Sequence, residues 1–542
     1  MPVLLRRQVD LSPPDLYDQW FAVGGIDPDT LDLPSDRMMP NTPELLERAF
    51  EDGRDLWWRM GRALAAQPSA DISHAAACAS FGSDFGVMLG WDRLVRKVAA
   101  EGIRTLVICD DPYLFRHLSG LSGVAAGPLP GVRRYALRRA ARGLLARTLV
   151  AFRVTRASVF LRRDRARYTF GAPGLIVYGH PKTRADGTDV YFGDLMTRFP
   201  EIWRVLHTDC GLARAGELGA AQRTVSAHAW GSPVYALVRL PWVRWRPAIK
   251  DSLCREFSWL IRRSATHENG GGGPAMNRWQ THCQARWLRA TRPRAVAWPW
   301  ENFAWERALV RAARKLDVGT VGYQHTVIGP HQINYSARCN PDAPVSIPDT
   351  IVADGPAYRK EMIDWGLPAK TVVDGGAFRI TEPFQHPVYN PMAPVYVALS
   401  ANLTIAARQV AVAGRIAVAG FKVVVKQHPM YPISFAETDN LTRTETSLAE
   451  YPALSCVVYC TGASAVDALL AGVPGVRLRF ADQISIDVLP NDVQGAVADV
   501  GEILSFVRDP VPPASVVWRD LFSPVDYRIW SKLLNISRDS AK

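Results

Sequence analysis

The sequence lacks the features that mark a membrane-spanning or secreted protein. No uncharged apolar run reaches about 18 residues, the length that a membrane-spanning helix needs. The segment 395–421 comes nearest, but it contains Asn402, Arg408 and Arg415 and is better explained as strand, helix and the approach to another strand. The first residues carry neither a long apolar stretch nor a small-residue cleavage site, so we expect no signal peptide and a cytoplasmic location.

Cysteine is scarce, and the common cofactor motifs are missing. The 542 residues include eight scattered cysteines, and no two form a C-x-x-C pair. Core thiols in a reducing cytoplasm therefore explain them better than metal ligands or disulfides do. The sequence has no G-x-x-x-x-G-K-[ST], no G-x-G-x-x-G after a strand and no H-E-x-x-H. We expect no metal ion and no cofactor.

Acidic residues are almost absent from one stretch, which holds most of the net charge. Residues 133–167 contain twelve arginines and one aspartate, and thus +11 of the formal +12. Leucines lie between the arginines, and the stretch 239–263 likewise combines basic and apolar residues. Such segments can lie on anionic lipid, although a solvated helix that packs its apolar face on the core is the alternative. Nucleic acid is not an expected partner, because no recognition helix, zinc finger or aromatic platform accompanies the charge.

The alternation of apolar runs and helical patterns predicts an α/β protein with two lobes. We expect an N-terminal helical extension over 1–75, a first Rossmann-like lobe with basic insertions over 76–380, and a proline-rich linker over 381–394. A second Rossmann-like lobe follows over 395–510, and a helical tail over 511–542 that packs back on a lobe.

Two shorter segments also carry expectations. The stretch 265–276 has four consecutive glycines, which predicts a flexible loop. A helix is expected near 434–450, between two strands of the second lobe.

The stretch VVVKQHP, residues 423–429, places polar side chains where a buried strand ends. Three valines predict the strand, and Pro429 keeps His428 out of the helical region. Because ligands bind at the carboxyl ends of strands in open α/β sheets, Lys426 and His428 are candidate ligands of a phosphate.

A second strand of the same lobe ends in a turn rich in small polar residues. Thr461, Gly462 and Ser464 lie where the strand gives way to a helix, and Asp467 follows one turn later. The N–H groups and dipole at a helix start favour an anion, although plain helix capping is the alternative.

These motifs resemble the carboxyl lobe of GT-B glycosyltransferases. QHP (427–429) with TGASAVDALLAGVP (461–474) is similar to bacterial sialyltransferases and Kdo transferases, in which a His-Pro motif and a Ser/Thr motif hold the phosphate and cytidine of a CMP-sugar. The segments 301–328 and 347–379 resemble bacterial surface-carbohydrate biosynthesis proteins, and the likeness covers roughly 290–480. In this chain Gly462 and Ala463 separate the two hydroxyl residues, which departs from the family's adjacent pair.

The resemblance implies that the first lobe holds the acceptor and a general base. Related enzymes carry an acidic pair before a glycine, and this chain has Asp110 and Asp111 before Pro112. A helix cap is the alternative for this pair. Glu301 and Glu306 are rival carboxylates. Glu301, directly after an apolar strand, is slightly favoured as the base over the pair, and Glu306, expected inside the following helix, is assigned to the acceptor side of the cleft.

Two further side chains are assigned to the cleft. His325 ends a strand in VGYQH, and Arg379 is a weaker candidate. In the implied mechanism a carboxylate takes the acceptor's hydroxyl proton. His428, Lys426 and the helix start at Ser464 then stabilise charge on the departing phosphate.

The sequence thus suggests a glycosyltransferase, peripheral on the inner membrane, that moves a sugar from a CMP-activated donor to a surface-polysaccharide or glycoconjugate acceptor. The sugar would be a nonulosonic acid or Kdo, and the acceptor a glycan or a lipid-linked molecule. Two alternatives stay open: transfer of a polyol phosphate from a CDP-polyol, and a non-catalytic carbohydrate- or membrane-binding protein.

Overall fold

The structure is a computed structural model that describes residues 2–11, 17–220, 223–343, 345–382, 387–490, 492–513 and 515–536. The described residues form three larger parallel sheets and one two-stranded parallel pair, with helices packed around them. Their strands are short and strongly apolar, as expected where both faces of a parallel sheet are covered.

The N-terminal unit is built on a four-stranded sheet in the order β2-β3-β1-β4. Its strands are β1 (Val3–Arg6), β2 (Gln19–Val23), β3 (Thr105–Cys109) and β4 (Val124–Ala126), and its helices are α1 (Thr42–Ala65), α2 (Phe85–Glu101) and α3 (Pro112–Leu118). The helical extension expected over 1–75 and the boundary at 76 are therefore wrong. Strands β1 and β2 both pair with β3, so segments on either side of that boundary share one sheet.

The first lobe contains a seven-stranded parallel sheet in the order β11-β10-β9-β8-β5-β6-β7. Its strands are β5 (Gly174–Val177), β6 (Trp203–Leu206), β7 (Thr224–Ser226), β8 (Ala295–Pro299), β9 (Gly319–Tyr323), β10 (Thr350–Ala353) and β11 (Val372–Asp374). Its helices are α4 (Val132–Phe160), α5 (Leu195–Arg198), α6 (Leu212–Gly219), α7 (Pro233–Arg239), α8 (Ser252–Glu256), α9 (Ser258–Asn269), α10 (Gly273–Thr291), α11 (Ala304–Arg314) and α12 (Pro356–Asp364). The strand order reverses between β5 and β8, which is where such sheets open a crevice.

The second lobe contains a six-stranded parallel sheet in the order β15-β14-β13-β17-β18-β19. A short pair, β12 (Val388–Tyr389) with β16 (Ala453–Leu454), lies beside it; the strands of the sheet are β13 (Val395–Ala398), β14 (Val423–Lys426), β15 (Leu441–Thr444), β17 (Cys456–Tyr459), β18 (Gly475–Arg479) and β19 (Ala496–Asp499). Its helices are α13 (Leu403–Val418), α14 (Ser464–Leu470) and α15 (Ile503–Arg508). This sheet has the strand order of a Rossmann fold, so the expected pair of Rossmann-like lobes is confirmed.

Two details of the second lobe differ from expectation. The segment 434–450 contains β15 and a short 3-10 turn instead of a helix, because its threonines favour extended backbone. Residues 383–386 of the expected linker lie outside the described residues. The second half of the linker contains β12, which pairs with β16.

The tail packs back on the first lobe, as expected. It contains α16 (Trp518–Leu521) and α17 (Tyr527–Leu533). Trp530 is fully buried against Phe192, Tyr323 and Phe378 of the first lobe. The chain therefore crosses between the lobes twice.

The two basic stretches lie in different environments. Helix α4 carries most of the first stretch on the surface of the first lobe, with Leu137, Leu145 and Leu149 exposed. In the stretch 239–263 the helices face the interior instead, and Leu260 and Ile261 of α9 are fully buried. No helix among the described residues is long and apolar enough to cross a membrane.

Candidate active site

A cavity of about 440 Å³ lies between the two lobes. It is bounded by segments that follow β5, β9, β10 and β11 in the first lobe, and by segments that follow β14 and β17 in the second. The carboxyl ends of both sheets therefore meet at the cavity. Its lining includes His180, Lys182, His325, Asp354, Arg379, Pro429, Ser447, Ala463 and Asp467.

Glu301 follows β8, at the edge where the order of the first-lobe sheet reverses. Its side chain is 25% exposed to solvent, and its Oε1 lies 4.0 Å from Nε2 of His325. Burial raises the pKa of Glu301 to about 7. A carboxyl group that titrates near neutral pH can take a proton from an acceptor hydroxyl.

Glu306 holds the loop that carries Glu301. It lies in α11, as expected, and its Oε2 accepts hydrogen bonds from the N–H groups of Glu301 and Asn302 and from Nε1 of Trp298, at 2.9–3.1 Å. Asn302 adopts a left-handed φ of 57° and its side chain bonds to the carbonyl of Asn334. Burial, together with the nearby Glu301 charge, raises the pKa of Glu306 to about 8. Glu306 is thus a positioning residue.

His325 and Arg379 lie together at the first-lobe side of the cavity. A guanidinium N–H of Arg379 donates to the carbonyl oxygen of His325 at 3.3 Å, and its charge lies 6.0 Å from the centroid of the Tyr191 ring. Burial and the Arg379 charge lower the pKa of His325 to about 3. The imidazole is therefore neutral at pH 7, while Arg379 supplies positive charge for an anionic ligand.

His180 and Lys182 line the cavity but were missed in the sequence. They follow β5 in YGHPK, and the N–H of Lys182 donates to Nδ1 of His180 at 3.1 Å. Burial, followed by the charge of Arg379, lowers the pKa of His180 to about 4. A signal was present, because the same His-Pro pair follows both β5 and β14.

Asp354 is a second group that the sequence analysis missed. It follows β10 and accepts a 2.6 Å hydrogen bond from the hydroxyl of Tyr323. Burial raises its pKa to about 8. The apolar run that ends in this aspartate indicated a strand end at the cleft.

His428 lies at the second-lobe side, next to Pro429 in the cavity wall. Its Nδ1 accepts a hydrogen bond from the N–H of Met430 at 3.3 Å, so Nε2 carries the proton in the neutral ring. Burial and then the Arg379 charge lower its pKa. The lowered pKa favours the neutral ring, which can still donate a hydrogen bond from Nε2.

Lys426 does not face the cavity. Its ammonium group donates to the backbone carbonyl of Glu445 and lies 3.3 Å from a carboxylate oxygen of the same residue. Lys426 is not among the residues that line the cavity, and Arg379 and Lys182 are the cations in the lining.

The turn after β17 supplies Ala463 and Asp467 to the cavity. Burial raises the pKa of Asp467 to about 7, while Arg379 from the other lobe opposes that shift. Gly462 has a φ of +107°, which explains the glycine. Thr461 and Ser464 lie on the same turn, and Oγ1 of Thr461 is buried with no hydrogen-bond partner in the described chain.

The two motif strands of the second lobe are not neighbours. Strand β13 lies between β14 and β17, and it ends near Asn402, whose side chain caps α13. His428 and the turn after β17 thus flank the reversal point of the sheet from either side.

Asp110 and Asp111 lie in the N-terminal unit, after β3, and do not line the cavity. Asp111 caps α3 through the N–H groups of Tyr113 and Leu114, and its other oxygen accepts from Arg263 at 2.7 Å. Asp110 accepts from the backbone N–H of Gln8. The structure therefore supports the helix cap for Asp111, and neither carboxylate joins Glu301.

One group among the described residues has metal-ligand geometry: Glu47, Glu51 and His331. It lies outside the cavity. Arg477 already lies 2.5 Å from Oε1 of Glu47, and the N–H of Asp487 donates to Nδ1 of His331. Because a cation occupies this carboxylate, the group is better explained as an ion-pair network.

The chain was compared with protein families, curated proteins and solved structures. No protein-family model matches the chain, and no curated protein matches it. Among solved structures, the glycotransferase of kitacinnamycin aligns at 12% identity over 69% of this chain and 96% of its own, with a TM-score of 0.37. MurG of Acinetobacter baumannii aligns at 11% identity over 68% and 94%, with a TM-score of 0.33. UDP-N-acetylglucosamine 2-epimerase from Rickettsia bellii aligns at 12% identity over 67% and 94%, with a TM-score of 0.34. Likenesses of this size assign no reaction to this chain.

Proposed function

We propose that the chain is a glycosyltransferase that moves a sugar from a nucleotide-activated donor to a glycan or a lipid-linked acceptor. The observation that carries this proposal is the cavity between the lobes. In the first lobe Glu301, with a pKa near 7, lies 4.0 Å from the lining residue His325, and in the second lobe His428 directly precedes the lining residue Pro429. A base and a phosphate-binding group on opposite sides of a cleft are the two parts that sugar transfer from a nucleotide needs.

In the mechanism that this arrangement supports, the hydroxyl oxygen of the acceptor attacks the sugar carbon, and Glu301 accepts the proton of that hydroxyl. The bond from that carbon to the phosphate oxygen breaks, and the electron pair leaves with the nucleotide. His428 donates a hydrogen bond from Nε2 to the phosphate. Arg379 and Lys182 offset the charge that builds on it.

The donor that the motifs favour is a CMP-sugar, carrying a nonulosonic acid or Kdo. The support is the His-Pro pair at 428–429 and the polar turn at 461–464, which lie on either side of the reversal point of the second sheet. Thermal unfolding with CMP, CDP and UDP tests the choice. We expect the largest stabilisation from CMP, and a larger one from CDP or UDP would replace it.

A polyol-phosphate transfer from a CDP-polyol is the second candidate. It is supported by the three histidines near the cavity, His180, His325 and His428, which could bind a transferred phosphoryl group. The two reactions differ in what they add to the acceptor: polyol-phosphate transfer adds one phosphorus atom, whereas sugar transfer adds none. Phosphorus analysis of the purified product therefore separates them.

A peripheral contact with the inner membrane completes the proposal. Helix α4 presents exposed leucines and exposed arginines on one surface of the first lobe, which suits an anionic bilayer. The stretch 239–263 contributes Trp242, which is 64% exposed, while its helices pack inside. A lipid-linked acceptor would reach the first lobe from this side.

A further inference from the structure

A second cavity, of about 500 Å³, lies in the first lobe between α4 and the loop after β6. It is separate from the cavity between the lobes and shares no lining residue with it. Its lining includes Arg153, Arg156, Thr208, Asp209, Leu212 and Ala213.

Thr208 is held in this wall with its hydroxyl unused. Its backbone N–H donates to Oε1 of Gln280 at 3.0 Å, and its carbonyl accepts from Nε2 of His228 at 3.0 Å. The Nδ1 of His228 accepts from Nε1 of Trp279, which fixes the tautomer. Thr208 is 3% exposed, and its Oγ1 has no hydrogen-bond partner in the described part of the chain. A buried hydroxyl without a partner, on a residue of the cavity wall, is a candidate hydrogen-bonding group for a ligand in the cavity.

The remaining polar groups of the lining favour an anion. Helix α6 begins at the cavity, and no side chain caps its first turn, so the N–H groups of Leu212 and Ala213 are available there. Arg153 and Arg156 extend from α4 and line the cavity. Among the described residues Arg153 donates to Sδ of Met276 and Arg156 lies over the ring of Phe160, and no carboxylate pairs with either. Asp209 is the carboxylate of the lining, and it lies 3.4 Å from Nδ1 of His207.

An exposed apolar stripe leads along α4 to this cavity. Leu145, Leu149 and Phe152 are 60–62% exposed, and their spacing of four and three residues places them on one face. Arg156 continues the same spacing and lines the cavity. A ligand that reaches both features therefore has a negative head and an apolar tail.

We propose that this cavity binds the phosphate of an anionic lipid whose acyl chains lie along the α4 stripe. Arg153, Arg156, Thr208 and the first turn of α6 would hold the phosphate oxygens. The proposal rests on the membrane contact proposed above for α4, and it specifies the lipid chemistry that the contact recognises. It does not depend on which reaction occurs between the lobes.

The test uses soluble ligands and the full chain, so that neither vesicle docking nor turnover enters the result. Isothermal titration calorimetry with dihexanoyl phosphatidic acid, below its micelle concentration, should show binding. The double variant Arg153→Gln/Arg156→Gln should weaken it at least about tenfold, and Thr208→Val by about threefold or more. Asp209→Asn should tighten it, because the variant removes the opposing charge.

The matched control is Arg134→Gln/Arg138→Gln, which removes the same charge from α4 away from the cavity. If the control weakens binding as much as the double variant does, diffuse attraction explains the affinity and the site is overturned. Absence of binding overturns it as well.

Inorganic phosphate should bind more weakly than the lipid. If it binds equally well, the ligand is free phosphate and the lipid assignment is wrong. Nucleotide binding between the lobes should be unchanged in every variant. Its loss would therefore indicate a defect outside the proposed lipid site.

Discussion

Glu301 combines a position at a strand end with burial that raises its pKa to about 7. If it is the base, kcat/KM should rise with pH through about 7 and then level off, because only the ionised form accepts a proton. Glu301→Gln should lower turnover by about 10²–10⁴-fold and remove this limb of the pH profile. A wild-type profile in the variant would assign the base elsewhere.

The same shift affects stability with a defined sign. The folded-state pKa lies above the unfolded value of 4.5, so the folded protein holds a proton that the unfolded chain releases between pH 4.5 and about 7. Stability from this group is therefore present below pH 4.5 and is lost as pH rises through about 7. Glu301→Gln should flatten this part of the stability profile, as measured by urea unfolding at a series of pH values.

His428 and His180 offer a paired test of the two His-Pro segments. His428→Ala should reduce the single-turnover rate by about 10²-fold or more while the melting temperature stays close to that of wild type, since the ring is half-buried and packs on Tyr431. If the rate per folded molecule were normal, the catalytic assignment of His428 would end. His180→Ala is the companion variant, and we expect it to weaken ligand binding more than turnover.

At this scale the sequence predicts residues whose position follows from a strand end and a proline. His428 was identified in this way, Glu301 and His325 from a strand end alone, and Asp467 from the helix start that follows a strand. The direction of Lys426 could not be predicted, because side chains alternate along a strand and the sequence does not show which face meets the cleft. The roles of Asp110 and Asp111 depend on which sheet β3 joins, and that pairing is non-local.

Helix α4 carries the membrane prediction. Arg134, Arg138 and Arg142 are exposed and follow one face of the helix. Their replacement by Gln should reduce flotation with anionic vesicles, because each basic residue near such a surface contributes about 1 kcal/mol. Binding should also fall as salt is raised.

Arg415→Gln/Lys422→Gln/Arg508→Gln provides the comparison, since it removes three exposed cations from the second lobe. Equal flotation of both triple variants, or equal recovery of wild type with neutral lipid, would contradict docking through α4.

The four glycines at 270–273 show how an element can be misjudged from composition. They join α9 to α10 with almost no loop, because α4 crosses close to them. A Cβ on Gly272 would lie 2.9 Å from Cγ2 of Val150, and one on Gly143 would lie 1.8 Å from the carbonyl oxygen of Asn269. Close helix packing, rather than flexibility, explains the glycines, and the sequence alone does not distinguish the two.

This packing predicts opposite effects for two glycine substitutions. Gly143→Ala should destabilise the protein by about 1–3 kcal/mol, because the added methyl group meets backbone that cannot move easily. Gly273→Ala should be neutral or slightly stabilising, since its Cβ would meet nothing within 4 Å. Urea unfolding of the two variants measures the difference, and equal stability would show that α4 does not pack at this distance.

The whole molecule is arranged so that the N-terminal unit touches both lobes. Nε1 of Trp58 in α1 donates to the carbonyl of Ile333 in the first lobe, and Glu47 of α1 pairs with Arg477 in the second lobe. The pair of lobes was predictable from the alternating pattern. The contact of the N-terminal unit with the second lobe was not predictable, because Glu47 and Arg477 lie more than 400 residues apart in sequence.

Closure of the lobes on nucleotide is therefore expected to be limited. Small-angle scattering should show a smaller radius of gyration at saturating CMP. Glu47→Gln, which removes the link to Arg477, should enlarge the change. An unchanged radius in wild type and variant alike would indicate a cleft that binds without closing.

The burial of Trp530 in the first lobe has a consequence for synthesis on the ribosome. The last strand of the first-lobe sheet ends at Asp374, but its core lacks this indole until residue 530 has emerged. At typical translation rates the delay is roughly 8–30 s. During that interval Phe192, Tyr323 and Phe378 have an unfilled apolar surface, which a chaperone could bind. A nascent chain stalled after the second lobe should therefore be degraded faster than the released protein.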